Sequence, residues 1–239
     1  MTARLVDLRT RTPVRHRGLP LHGWNIQGGN LADKQGLFVT FEGGEGVGKT
    51  TQIALLRSAL EKEGATVCVT REPGGDSVSE TVRHLLLTSD MTPRAELLLF
   101  LASRAQNVEH VIRPHLLKGG IVLCDRFIDS SVAYQGMARG LGMEAVAHLN
   151  TFATNGLIPD LTFLLDLDPA SGLARQSDHN RMENEGLEFH RIARQGFLAA
   201  AVNEPARIVV LDAMIPIASL QAQIYGHVRN RLAMRDTKA

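Results

Sequence analysis

Residues 43–50 read Gly-Gly-Glu-Gly-Val-Gly-Lys-Thr and match the phosphate-binding pattern G-x-x-x-x-G-K-[ST] over its full length. The apolar run 37–41 precedes this stretch and a helical pattern from Thr50 to about Lys62 follows it, which is the context that the pattern requires. Glycines let successive N–H groups turn toward phosphate oxygens, and the start of the helix adds positive potential. The sequence therefore predicts an ATP-type triphosphate site made by Gly43, Gly44, Glu45, Gly46, Val47, Gly48, Lys49, Thr50 and Thr51.

Two side chains of this stretch have specific roles in phosphate chemistry. Lys49 is expected to bring a mobile cation to the β- and γ-phosphates of the nucleotide. The hydroxyl of Thr50 is expected to ligate Mg²⁺, which is the cofactor that such a site implies.

Outward from this loop, short apolar runs alternate with helical patterns. We expect strands at 37–41, 65–70, 121–124, 161–167 and 207–211, and helices at 50–62, 76–87, 92–118 and 217–232. Thr92 and Pro93 form an N-cap and first-turn signal, and Gly119 and Gly120 end the long helix. The alternation predicts an α/β fold, a five-stranded parallel sheet with helices on both faces.

Composition limits the function classes. The chain has 239 residues, a net charge of +1 and 44% hydrophobic residues. The longest apolar runs have six residues, for example 97–102, whereas a membrane span needs about 20. The near-neutral charge argues against a nucleic-acid partner. Cys68 and Cys124 lie far apart within apolar runs, which indicates reduced thiols and a cytoplasmic location.

The first 35 residues differ from the remainder in charge and pattern. They carry six basic and two acidic side chains, against 20 basic and 23 acidic ones in the other 204 residues. No helical or strand period is sustained in residues 1–35, so we expect a flexible extension outside a domain at 36–239. A disordered tail or an upstream start codon is the favoured interpretation. An organelle leader is the alternative, although the serine content and a clean amphipathic helix are lacking.

Arginines lie at the ends of several predicted elements, in greater number than one triphosphate requires. They are Arg71, Arg104, Arg126, Arg175 and Arg181. Phosphoryl transfer between two phosphorylated substrates depends on positioning and charge neutralisation, for which arginine is well suited. The pattern favours a transferase over a switch, because an N-K-x-D guanine motif is absent from the sequence.

Several further stretches make the sequence resemble the bacterial thymidylate kinases. These are residues 38–51, Thr-Arg-Glu-Pro-Gly-Gly at 70–75, Asp-Arg-Phe at 125–127, Ala-Tyr-Gln-Gly at 133–136, Pro-Asp-Leu-Thr at 159–162, Leu-Asp-Leu at 165–167, and 185–189. The resemblance covers the chain from Gly36 onward. It implies a three-layer P-loop nucleoside monophosphate kinase fold with a short lid at about 172–184, and transfer of the γ-phosphoryl group of ATP to dTMP with Mg²⁺. It also implies a homodimer packed through long helices.

The resemblance further implies roles for the acceptor-site residues. Phe100 and Arg104 are four apart on one helix face, where the ring would stack on thymine and the guanidinium would donate to its carbonyl oxygen. Glu45 would accept a hydrogen bond from the sugar 3′-hydroxyl or act through Mg²⁺ and water. Arg71 and Pro73 belong to a loop expected to close over the monophosphate.

Residues after the third strand complete the expected site. Asp125 is expected to contact Mg²⁺ or its water, and Arg126 to hold the dTMP phosphate at the carboxyl edge of the sheet. The ring of Tyr134 would exclude a ribose hydroxyl. Gln135 either lines the deoxyribose or is structural.

The lid departs from the family pattern. It is shorter than usual and retains Arg175 and Arg181, while Gly46 stands in the loop where an arginine could sit. We expect one of the two arginines to supply the transition-state cation, with Arg181 preferred, and Arg181→Ala to lower kcat by several orders of magnitude. A kinase for another acceptor and a nucleotide-binding regulator without activity remain alternatives.

Overall fold

The computed structural model describes residues 35–175 and 181–236. The predicted N-terminal extension, apart from its last residue, lies outside the described residues. So do residues 176–180 of the predicted lid.

Strands and helices alternate along the described chain. The strands are β1 (Leu37–Glu42), β2 (Val67–Arg71), β3 (Ile121–Asp125), β4 (Leu161–Asp166) and β5 (Ile208–Asp212). The helices are α1 (Lys49–Lys62), α2 (Ser77–Thr88), α3 (Pro93–Asn107), α4 (Arg113–Leu117), α5 (Ile128–Ser131), α6 (Met143–Ala153), α7 (Pro169–Leu173), α8 (Leu187–Asn203) and α9 (Ile217–Asp236). Each predicted strand is observed with bounds shifted by at most two residues.

The predicted long helix 92–118 is present with an irregular turn inside it. A π-helical turn, Val108–Ile112, joins α3 to α4, and a second one, Val132–Ala138, extends α5. The side chain of Thr92 accepts the backbone N–H of Ala95, so the sequence signal for the N-cap is confirmed.

The strands of the described chain form one parallel sheet in the order β2-β3-β1-β4-β5. In the register of the central pair, Phe41 of β1 lies beside Asp125 of β3. The loop after β1 and the turn after β3 therefore leave the sheet side by side. This arrangement confirms the predicted α/β class and places both segments at the ligand-binding edge.

Helices cover both faces of the sheet, since side chains of β1 alternate between two apolar layers. Val39 and Phe41 pack with Leu56 of α1 and Ile224 of α9 on one face. On the other face, Phe38 packs with Ile112 and its layer. No helix among residues 35–175 and 181–236 is long and apolar enough to cross a membrane.

The apolar residues Leu97, Leu98, Leu101, Val108 and Val111 along the long helix fit either the expected dimer interface or the core, and the structure separates them by burial. Leu97, Leu101 and Val108 are buried in core clusters. Leu98, by contrast, is 61% exposed. Core packing accounts for the three buried residues, Val111 is half-buried, and Leu98 faces outward.

Candidate active site

The loop between β1 and α1 depends on glycine at three positions. Gly43, Gly46 and Gly48 have φ of 129°, 65° and 91°. A Cβ atom on Gly46 would lie 2.1 Å from the carbonyl oxygen of Gly172 in α7, so this position has no room for a larger side chain. The close approach explains why the loop carries glycine where the sequence left space for an arginine.

Lys49 is the first residue of α1, and its side chain turns back onto the loop. Its Nζ atom donates to the carbonyl oxygens of Gly44 at 2.8 Å and Gly43 at 3.4 Å. Burial, followed by repulsion from Arg126, lowers the pKa of Lys49. The lysine cation is therefore held against the carbonyl oxygens of the loop.

A cavity of about 370 Å³ opens beside this loop, and we call it the phosphate cavity. Its lining is rich in cations and consists of Glu45, Gly46, Val47, Gly48, Lys49, Thr50, Arg71, Glu72, Arg83, Asp125, Arg126 and Arg175. Gly43 and Gly44 line a smaller neighbouring space. Thr51 is exposed on α1 and does not line the phosphate cavity, so its predicted contact has no support from the geometry.

A second cavity of about 120 Å³, the acceptor cavity, collects the residues expected at the base and sugar. It is lined by Glu45, Glu72, Pro73, Arg83, Leu87, Phe100, Arg104, Arg126, Ser130, Ser131, Tyr134, Gln135, Met182 and Glu183. The two cavities share Glu45, Glu72, Arg83 and Arg126. A ligand in one cavity can therefore meet a ligand in the other at these four residues.

Glu45 and Arg126 form an ion pair at this junction. Nη2 of Arg126 donates to Oε1 of Glu45 at 2.5 Å, and the hydroxyl of Tyr134 donates to the same oxygen at 3.4 Å. Burial opposes ionisation of Glu45, but the charges of Arg126 and Lys49 outweigh it and lower the pKa of Glu45. The pair keeps both charges fixed where two phosphorylated ligands would approach each other.

The backbone of Arg126 adopts φ of 66°, a left-handed conformation uncommon for a non-glycine residue. Buried Glu42 holds the turn that follows, because it accepts the N–H of Phe127 at 2.8 Å and the hydroxyl of Ser130 at 2.6 Å. Ser130 in turn accepts from Nη1 of Arg126 at 3.3 Å. Burial, with repulsion from Asp129, raises the pKa of Glu42 to about 7. Glu42 was not predicted as a site residue, because in the sequence it stands between the apolar run 37–41 and the glycine-rich loop.

Arg104 is almost fully buried, so it is not the surface arginine that its type would suggest. Nε donates to Glu72 at 2.7 Å, Nη2 to the carbonyl oxygen of Phe127 at 2.9 Å, and Nη1 to Ser131 and Asn150. A guanidinium has five N–H donors, so one at Nη2 is left over for a ligand in the acceptor cavity.

Three arginines surround the junction between the cavities. Arg71 pairs with Glu80 at 3.0 Å and is half exposed, and Arg126 pairs with Glu45. Arg83, which sequence reasoning missed, donates to the carbonyl oxygen of Pro73 at 2.9 Å and lines both cavities. Burial, followed by repulsion from Arg71, lowers the pKa of Arg83. Such a cluster of cations suits an acceptor phosphate.

The two lid arginines lie in different places. Arg175 donates from Nη1 to the carbonyl oxygen of Gly46 at 3.2 Å and lines the phosphate cavity. Arg181 donates from Nη2 to Glu96 at 2.8 Å and from Nε to the carbonyl oxygen of Leu86 at 2.9 Å. Arg181 lines neither cavity. The geometry therefore favours Arg175 over Arg181 for contact with the transferring phosphate.

The donor set at the loop fits Mg²⁺. Asp125 and Thr50 line the phosphate cavity together, and Oδ1 of Asp125 is buried without a hydrogen-bond partner. No cluster of three metal-ligating side chains occurs among the described residues. One carboxylate and one hydroxyl are the usual protein share of a Mg²⁺ shell that phosphates and waters complete.

The strand order and the loop ahead of α1 place the chain among the P-loop nucleoside monophosphate kinases. A family model, thymidylate kinase, matches residues 41–224. The chain belongs to this family.

Relatives support the assignment over most of the described chain. The chain is 52% identical over 197 residues to a thymidylate kinase of Synechococcus sp. (strain JA-3-3Ab), covering 82% of this chain and 97% of the relative. It is 50% identical over 202 residues to a thymidylate kinase of Deinococcus radiodurans, covering 82% and 98%. A crystal structure of thymidylate kinase from Ehrlichia chaffeensis is similar with a TM-score of 0.67 at 34% identity, covering 81% and 98%.

Proposed function

We propose that the protein transfers the γ-phosphoryl group of ATP to dTMP, which yields ADP and dTDP. The observation that carries this proposal is the junction of the phosphate cavity with the acceptor cavity at Glu45, Arg83 and Arg126. A triphosphate at the loop and a monophosphate ester in the acceptor cavity would bring their terminal phosphates together there. Membership of the thymidylate kinase family supports the identity of the acceptor.

On the donor side, the chain binds and orients the triphosphate. Inward N–H groups of the loop and the cation of Lys49 surround the β- and γ-phosphates. Thr50 and Asp125 would hold Mg²⁺, which neutralises charge on the phosphoryl oxygens when bound. Arg175 lies on the loop carbonyl of Gly46, from which its guanidinium can reach charge that develops on the transferring group.

In the acceptor cavity, apolar groups contact the base and the sugar, and polar groups bind their hydrogen-bonding atoms and the phosphate. Phe100 offers a ring for the base, and Arg104 offers its remaining N–H. Tyr134 packs against Phe197 with ring centroids 5.7 Å apart, so its ring is a fixed wall for the sugar. Arg126 holds the phosphate of dTMP, while the carboxylate of Glu45 is available to accept a hydrogen bond from a sugar hydroxyl. Phosphoryl transfer then follows from positioning and charge neutralisation.

A coupled assay of ADP release with a panel of nucleoside monophosphates tests the proposal. We expect the highest kcat/KM with dTMP among dTMP, dCMP, dAMP and dGMP. Lys49→Met is expected to lower kcat at least about 100-fold, because a point charge on the β- and γ-phosphates is lost. Lys62→Met at the end of α1 is the matched control, expected to keep wild-type turnover. Turnover with another monophosphate in preference to dTMP would refute the proposal.

We further propose a homodimer that uses α3 and α6. These helices pack against each other, and each leaves a large apolar side chain exposed, Leu98 at 61% and Phe152 at 62%. Exposed apolar side chains on neighbouring helices are typical of a protein interface. A cytoplasmic location is proposed on the free thiols Cys68 and Cys124, which reducing conditions preserve.

A further inference from the structure

Glu96, on the first turns of α3, is a buried carboxylate that the phosphoryl-transfer chemistry leaves unused. Its side chain is 1% exposed. Oε1 accepts from Nε2 of Gln135 at 2.8 Å and from Nε of Arg139 at 3.2 Å. Oε2 accepts from Nη2 of Arg139 at 3.1 Å and from Nη2 of Arg181 at 2.8 Å. Both oxygens are thus fully engaged, each by at least one cation.

These contacts keep Glu96 ionised. Burial alone opposes the charge, but hydrogen bonds from Gln135, Arg139 and Arg181 outweigh burial and lower the pKa of Glu96. An ionised carboxylate can only accept hydrogen bonds. The amide of Gln135 must therefore turn its NH₂ group toward Glu96, and this decides the orientation of an amide that is otherwise ambiguous.

The orientation has a consequence inside the acceptor cavity, which Gln135 lines. With Nε2 committed to Glu96, the other end of the amide is the carbonyl Oε1. No described residue donates a hydrogen bond to Oε1. The cavity therefore offers an acceptor at Gln135 and, from Nη2 of Arg104, a donor.

We propose that Glu96 is a positioning residue that sets the base specificity of the acceptor site by holding Gln135 with its carbonyl toward the base. The proposal rests on the proposed function. Thymine presents a ring N–H beside a carbonyl oxygen, which complements the carbonyl of Gln135 and the free N–H of Arg104. Cytosine presents a ring nitrogen acceptor beside an amino group. The carbonyl of Gln135 would then face another acceptor, and the N–H of Arg104 would face another donor. A site built to hydrogen-bond one such edge rejects the other strongly.

The same carboxylate binds Arg181 of the predicted lid. Any substitution of Glu96 therefore perturbs two partners, Gln135 and Arg181, and the test has to separate them. Arg181→Met removes only the second partner and leaves the contact with Gln135 in place.

A matched pair of acceptors measures base discrimination alone. dTMP and 5-methyl-2′-deoxycytidine 5′-monophosphate share the sugar, the phosphate and the methyl group, and differ only at the edge that Gln135 and Arg104 would read. We take the ratio of kcat/KM for the two as the readout. In the wild type we expect at least about 1000-fold preference for dTMP.

Glu96→Gln is expected to lower this ratio at least about tenfold, because a neutral amide can either donate to or accept from Gln135 and no longer decides its orientation. Gln135→Ala is expected to lower the ratio as well, and Glu96→Gln should then cause no further loss in that background. Arg181→Met should keep the wild-type ratio, whatever it does to kcat. The KM for ATP and thermal melting report on the fold.

If Glu96→Gln melts well below the wild type, Glu96→Asp carries the test, since it retains the charge but withdraws the carboxylate from Gln135. An unchanged ratio in Glu96→Gln and Glu96→Asp overturns the inference, as does an equal loss in Arg181→Met. A loss that persists in the Gln135→Ala background also overturns it. Failure of the proposed function looks different, because the wild type would then turn over neither acceptor or prefer another base altogether.

Discussion

We expect the free energy of unfolding of the wild type to fall as pH rises from 5 to 8, and we expect Glu42→Gln to remove this decrease. Glu42 is fully buried at the end of β1, where it accepts from the N–H of Phe127 and the hydroxyl of Ser130. Burial and the neighbouring charge of Asp129 raise its pKa to about 7, while Ser130, Arg126 and Phe127 act in the opposite direction without cancelling the increase.

The sign follows from proton linkage. The ordinary pKa of a glutamate is 4.5, so between pH 4.5 and 7 the folded protein holds a proton on Glu42 that the unfolded chain has released. The free energy of unfolding therefore falls as pH rises through this window. The difference between the two pKa values corresponds to about 3 kcal/mol, of which about 2 to 3 kcal/mol is lost between pH 5 and pH 8.

Gln at position 42 is neutral at every pH. Its oxygen can accept the N–H of Phe127 and its NH₂ group can donate to Ser130, so the turn keeps both contacts. The constant cost or gain of this substitution cancels when stability is compared between pH values. We therefore expect the variant to gain about 2 to 3 kcal/mol relative to the wild type on going from pH 5 to pH 8.

Urea denaturation of the nucleotide-free protein at intervals of pH from 5 to 8 measures this difference. Glu188→Gln is the control, because it makes the same charge change at a side chain that is 74% exposed. A wild-type-to-variant difference that stays constant across this range would show that Glu42 is ionised in the folded protein and would refute the reasoning.

Four further outcomes are expected. Arg175→Ala should lower kcat about 1000-fold through loss of charge at the transferring phosphate, and Arg181→Ala should lower it far less; the reverse order in steady-state assays would restore the preference drawn from the sequence. Arg207 pairs with Asp129, whose side chain is 5% exposed. Arg207→Met leaves this carboxylate buried and unpaired, so urea denaturation should show that the free energy of unfolding falls by about 3 to 5 kcal/mol. A loss below about 1 kcal/mol would contradict that. If the protein forms the proposed dimer through α3 and α6, Leu98→Glu should yield a monomer in light scattering, while a stable dimer of the variant would place the interface elsewhere. A chain limited to 36–239 should retain wild-type kcat and KM, and a clear loss of turnover would assign a role to the extension.

Much of the fold was predictable because its signals are local. Strand positions follow from apolar runs of about five residues, and the loop at 43–50 follows from spacing along one short stretch. The Thr92 cap was readable for the same reason. The π-helical turns were not, since no local pattern distinguishes them from an ordinary helix.

The sequence predicted most residues of the candidate site but not which of their charged side chains pair with each other. Most of the residues expected at the acceptor, including Phe100, Arg104, Tyr134 and Gln135, do line one cavity. Arg83 and Glu42 were not predicted, because an arginine inside a helix and a glutamate at the end of a strand are ordinarily expected to face solvent. The structure shows otherwise, because Glu42 is fully buried against the turn after β3 and half-buried Arg83 lines both cavities.

The sequence by itself determined the order of strands and helices along the chain, the phosphate-binding loop and the family. Each of these depends on residue types at fixed short spacings. The tertiary structure alone decided which charges meet. Arg126 reaches Glu45 across 81 positions, and Arg181 reaches Glu96 across 85. The physical reason is that a carboxylate takes whichever cation the packed elements bring within about 3 Å, and packing of elements far apart in the chain is not written in any local pattern.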